Sequence, residues 1–219
     1  MGARIPKLTW PRFVAVACFA FLAAFAGCGD GKTSAPDHEE SPFLPRTSPA
    51  NLLHNLKTAY AERDVAEFDS LLANPGFTFV LSQVDQDKPD MPDSWGRDPE
   101  ILIHSRMFDA EMVQTLTLDF IVGDVTWDAT QGMYSVMVTN VNLFLYGSTP
   151  GHPTEVKEYT VSDSRSKFWF RKNPWTTGAA HDSVWTIVRW EDEPIGSRGA
   201  RSPNAAERSS WGVIKTLFE

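Results

Sequence analysis

The sequence predicts an α+β domain, with helices first and a long antiparallel sheet after them. Apolar residues recur at helical spacing between residues 49 and 72, and from about residue 113 the period changes to two and holds through four strands. Short turns containing Gly or Pro separate those strands, which joins neighbours antiparallel.

The elements follow in order. Ser48-Pro49 is a helix cap with proline at the first helical position, and Leu52, Leu53, Leu56 and Tyr60 follow on one face, with Lys57, Glu62 and Arg63 elsewhere. Asp64 caps a second short helix, with Glu67 three residues on and Val65, Phe68 and Leu72 as its apolar stripe. "NPG" at 74–76 stops it, and "FTFVL" reads as a strand. A polar loop from Val84 to Arg97 leads to a helix in "DPEILIHSRMFDA", with Asp98 as its expected cap. Strands are predicted at about 113–127, 132–147, 155–172 and 183–191. In the second of these Met137, Val141, Leu143 and Leu145 share one face and Asn140 and Asn142 the other; in the fourth, Trp185, Ile187 and Arg189 oppose Val184, Val188 and Trp190. The final "NAAERSSWGVIKTLFE" carries Trp211, Val213, Ile214, Leu217 and Phe218, which is too apolar for a free tail and is expected to dock against the domain.

The first residues read as an address. Arg4, Lys7 and Arg12 precede fifteen uncharged residues, 13–27, and small residues close the run. That is the pattern of a secretory signal, too short for a bilayer core, which needs about 20 residues in a helix. Residues 28–48, with a proline-rich stretch from 33 on, read as a flexible linker of about 25 Å end to end. "GKT" at 31–33 is not a phosphate loop, because the glycine required five residues earlier falls on Ala26 and no strand precedes it.

Composition narrows the chemistry. The whole chain carries a formal charge of −8 and the leader contributes +3, which leaves the remainder near −11 and argues against nucleic acid as a partner. Both cysteines, Cys18 and Cys28, lie in or at the end of the leader, so the body has no thiol for a nucleophile, a metal site or a disulfide.

Two resemblances enter here. Ala26-Gly27-Cys28 resembles the lipobox of bacterial lipoproteins, with Phe25 where Leu is usual; it implies cleavage after residue 27, lipidation of Cys28 and a membrane-anchored envelope protein. The first helix, "ERDVAEFDSLLA", "GFTFVL", "PEILIHSRMF" and the four-strand meander together resemble the NTF2-like (SnoaL-like) superfamily over about residues 49–192. That resemblance implies a strongly curved sheet wrapping the helices into a cone, within a domain taken as 49–219. Its pocket would draw on Tyr60, Phe79, His104, Phe108, Trp185 and Arg189. The isomerase branch uses a tyrosine and two aspartates; aligned on the "RD" turn, those positions fall on Leu56, on Val80 or Leu81, and on about Ser166, so that mechanism is lost.

The remaining constellations are weak. Asp85, Asp87, Asp90, Asp93 and Asp98 do not fit a calcium loop, because Pro89, Asp90 and Gly96 stand where Asp, Gly and Glu are needed. No two of His38, His54, His104, His152 and His181 have helical zinc spacing, and no metal or cofactor is expected. His104 shares a predicted helix face with Ile101, Ser105 and Phe108, where a satisfied edge histidine is the commoner role than an acid or base. Three readings stay open: binding of an apolar small molecule or a partner without catalysis, with a homodimer through the outer sheet face; a cofactor-independent lyase or isomerase using Tyr60, His104 and Arg189; and a structural module with a filled cone.

Overall fold

Ser48 accepts a hydrogen bond from the Asn51 amide, and Pro49 opens α1, Pro49–Glu62. The helix ends where Arg63 enters the left-handed region at φ 56°, and Asp64 then caps α2, Val65–Leu71, by accepting from the Glu67 amide. This is the computed structural model of the chain, which describes residues 41–86, 91–172, 184–193 and 210–219, all within one unit, Glu40–Glu219. The leader 1–27, Cys28, the first part of the linker, His38, His181, Trp175, Asp87 and Asp90 lie outside the described residues.

After β1, Thr78–Val80, come a one-turn helix α3, Gln83–Gln86, and a short strand β2, Ser94–Gly96. Helix α4 spans Arg97–Met107, and then β3, Val113–Asp128, β4, Met133–Thr149, β5, His152–Lys172, and β6, Trp185–Glu193, form the meander. A last helix, α5, spans Trp211–Thr216. Among the described residues no helix is long and apolar enough to cross a membrane. Among the described residues six strands lie in the order β2-β1-β6-β5-β4-β3.

The architecture matches the sequence reading, with four local differences besides α3 and β2, which fall where the sequence reads as a polar loop. The sheet is mixed: β1 lies parallel to β6, because the chain leaves α2 beside Leu72, which already bridges Ile187 in parallel. Helix α4 starts two residues early, with Gly96 at the cap position and no side-chain cap; Asp98 sits in the first turn, where its charge complements the helix dipole. Residues 41–48 are not linker. Leu44 and the buried Asn55 exchange two bonds of 2.8 Å, and the Trp185 amide donates to the Arg46 carbonyl. A buried amide side chain needs partners, and this segment supplies them. Finally, Val136 and Val138 are buried on β4 rather than Met137, because Asn140, at φ 50°, shifts the register before Val141, Leu143 and Leu145. Such bulges bend strands and strengthen their twist.

The core lies between the inner sheet face and α1, α2, α4 and α5, with Leu52, Leu53, Leu56, Phe68, Val138, Leu143, Phe168, Phe170 and Trp190 fully buried. Beyond Phe120 the outer half of β3 leaves this core: Ile121, Val125 and Trp127 are all exposed.

The start of β3 is fixed by a close approach. A Cβ on Gly147 would stand 2.5 Å from the Met112 carbonyl oxygen and 2.7 Å from the Val113 Cα, both backbone atoms. Gly147→Ala is therefore expected to destabilise the domain by about 2 kcal/mol in urea unfolding. Gly151→Ala, where nothing stands within 4 Å, should stay within about 0.5 kcal/mol of the parent.

Candidate functional sites inside the cone and on its rim

Tyr60, His104 and Phe108 come together inside the cone. Tyr60 lies on the last turn of α1, and α4 turns Glu100, Ile103, His104 and Met107 inward. Ser105 is not on that face; it is exposed and bonds back to the Leu102 carbonyl. The Tyr60 hydroxyl stands 2.6 Å from His104 Nε2, and His104 Nδ1 stands 2.8 Å from the Glu100 carbonyl oxygen. A carbonyl only accepts, so Nδ1 carries the proton and Nε2 accepts from Tyr60. Burial holds the imidazole well below its ordinary pKa, and Lys215 adds to the effect, so the ring is neutral. Burial also raises the Tyr60 phenol well above its ordinary value, with Glu100 adding to the rise. Phe68 stacks on the His104 ring at 3.8 Å. Both nitrogens are used and the ring has no exposed surface. In this conformation the pair has neither a free proton site nor access to a substrate.

The rest of the interior is occupied by residues that sequence reasoning did not single out. The Glu100 carboxylate, fully buried, accepts from Trp95 Nε1 at 2.6 Å and from Lys215 Nζ at 2.5 Å. The Lys215 ammonium sits 3.5 Å from the Trp190 ring centre and 3.7 Å from that of Phe79. Burial lowers its pKa to about 8 while Glu100 pulls the other way, so it is charged at neutral pH. Trp211 packs edge-on against Trp190, with ring centres 4.2 Å apart, and also meets Tyr60. Helix α5 thus fills the middle of the cone. A sequence signal existed: Lys215 stands four residues after Trp211 and three before Phe218, on the apolar stripe of a short helix.

The other three candidates lie elsewhere. Arg189 is about 40% exposed and pairs with Glu191 at 2.5 Å, outside the Tyr60–His104 cluster. Phe79 stacks on Trp95 and forms a wall of the Lys215 box. Trp185 lies at the rim beside Tyr134, with ring centres 5.0 Å apart, and Tyr134 faces Trp127 across β3 and β4 at 4.8 Å. These three rings, with Gly132, Phe170, Arg171 and Lys172, line an open cavity of about 340 Å³.

Asp192 closes the interior next to α5. It accepts from the Gly212 amide at 2.9 Å and from the Ser166 hydroxyl at 3.3 Å. Burial raises its carboxyl from 3.8 to about 6; the Gly212 amide, Lys215 and Ser166 oppose the rise, and Asp85 adds to it. The folded-state pKa lies above the unfolded one, so the stabilisation present below pH 3.8 is lost as pH rises through about 6. Asp192→Asn should remove that loss: relative to the variant, the parent is expected to lose on the order of 2–3 kcal/mol across this range, read by urea unfolding at each pH.

No family model matches the chain, and no curated protein matches it. Solved structures do. An NTF2-like protein from Cytophaga hutchinsonii is 14% identical, with 67% of this chain and 94% of that chain covered and a TM-score of 0.38. A CaMKII hub from S. rosetta is 14% identical, with 70% and 98% covered and a TM-score of 0.36. Such likeness concerns fold and says nothing of activity. Judged by its own elements, with helices first, β1 beside β6 and a long bulged meander around them, the chain has an NTF2-like fold.

Proposed function

We propose that this chain is a lipid-anchored protein of the bacterial envelope whose domain binds an apolar small molecule at the rim cavity without transforming it. The observation that carries the binding reading is the division between the two sites. The acid–base pair of the interior is enclosed and neutral, whereas the rim offers three aromatic side chains, two cations and about 340 Å³ of open space. That volume is at the lower end of small-molecule pockets, and aromatic walls with few polar groups are their usual lining. Arg171 and Lys172 favour a ligand with an anionic end. The anchor rests on the leader and Cys28.

Anilinonaphthalene sulfonate, an apolar anion, is a suitable probe. Its fluorescence is expected to rise on the folded chain, and Trp127→Ala and Lys172→Glu should each weaken its binding by about tenfold or more. Unchanged affinity in both variants would overturn the rim site. His104→Gln should leave probe binding intact; a substrate whose turnover it abolished would favour the lyase or isomerase reading instead. For the anchor, Cys28→Ser is expected to move the chain from the membrane fraction to the soluble fraction of the envelope; an unchanged distribution would overturn lipidation as the anchor.

A second reading has its own observation. Ile121, Val122 and Val125 are exposed on β3, which is also an edge strand of the sheet. An apolar edge favours self-association. Sedimentation of the chain and of Ile121→Glu decides this reading: a dimer that the substitution dissociates supports it, and a monomeric parent sinks it.

A further inference from the structure

The interior box is assembled from two sources. Phe79 comes from β1, Trp95 from β2, Glu100 from α4 and Trp190 from β6, while the ammonium inside it comes from α5. Remove Lys215 from consideration and the body of the domain presents two ring faces and a buried carboxylate oriented toward one point. Ring faces carry negative quadrupole density and attract cations, most strongly when water is excluded. The carboxylate is held in place by Trp95 Nε1, and Trp95 is in turn stacked on Phe79 at 4.5 Å between ring centres. Only one of its oxygens is taken by the body's own donor; the other meets Lys215.

The element that supplies the ammonium is small. Helix α5 has six residues, too few to be stable without packing. It is seated by Trp211, by the Gly212 amide on Asp192 and by the Arg106 guanidinium on the Phe218 and Glu219 carbonyls. Gly212 permits the approach, because a Cβ there would stand 3.0 Å from Leu81 Cδ2. Apolar residues at both Glu100 and Lys215 would fill the same volume without burying either charge, and replacing buried pairs by apolar residues is often neutral or stabilising. The box therefore recognises a cation in a place where packing alone asks for none.

We propose that the box of Phe79, Trp95, Trp190 and Glu100 is a binding site for a primary alkylammonium group, and that Lys215 occupies it in cis as a tethered ligand. This site is separate from the rim cavity and stands or falls independently of it.

The test is chemical rescue in the full-length chain. Lys215→Ala should lower the Tm by about 10 °C, since it leaves the Glu100 charge buried without its partner. n-Propylammonium chloride replaces the three carbons that alanine lacks, Cγ to Cε, and their charge. It is expected to restore at least half of the lost Tm with saturable dependence, at constant chloride, whereas 1-propanol restores none. The parent chain, its box already filled, should not respond, and neither should Lys215→Ala combined with Glu100→Gln. Equal rescue by propanol would mean an apolar hole without cation recognition and would overturn the proposal. So would the absence of rescue, or a parent that responds as strongly as the variant. Should Lys215→Ala fail to fold alone, refolding with the amine but not the alcohol is the same positive result, and failure with both overturns the site.

Discussion

The structure depends on keeping one carboxylate charged in a place without water. Glu100 is the residue through which four elements are joined: its side chain takes Trp95 from β2 and Lys215 from α5, and its backbone carbonyl takes His104, which holds Tyr60 of α1. Coulomb attraction in such surroundings is strong, but so is the desolvation of both ions, and the pair persists because both carboxylate oxygens have donors and the ammonium lies against two ring faces. That requirement reaches outward. Trp95 must present its Nε1, which fixes the short strand β2 beside β1, and Phe79 stacks on the same indole. Taking away either ion leaves the other uncompensated at about 3–5 kcal/mol, so the arrangement is cooperative rather than a sum of contacts.

The same constraint settles the state of the histidine. Lys215 repels a second positive charge, burial disfavours any charge, and the Glu100 carbonyl selects the Nδ1–H tautomer. A ring under those three influences acts as a neutral bridge between α1 and α4. The hydroxyl of Tyr60, one turn beyond Leu56, completes that bridge in place of the acid that a proton-transfer site would need.

How much of this was legible in the sequence follows from what leaves a periodic trace. The helices and long strands did, because burial imposes a period of 3.6 or 2, and Tyr60, His104 and Phe108 were found because they fall on such faces. β2, three residues long, left none, and it exists because Trp95 has to meet Glu100. Asn140 inverted the reading of half of β4, since one residue at positive φ exchanges the faces of all that precede it. Glu100 and Lys215 were missed for a related reason. Each is charged and neither stands out by periodicity alone, for they lie 115 residues apart and are explained only by each other. A single ionic residue on an apolar stripe is a visible anomaly; its partner is not visible until the chain is folded.

A curved sheet with strands as long as 21 residues encloses more space than α1, α2 and α4 fill. The remainder must hold water, a ligand or more of the chain, since an unfilled apolar interior forfeits its contacts. Here Trp211, Ile214, Lys215 and Phe218 take that position. Their arrival moves accessible chemistry from the interior to the rim, where Trp127, Tyr134 and Trp185 line the open cavity. The filled interior and the open rim are thus two results of one geometrical fact, the excess length of β3, β4 and β5 over the helices they wrap.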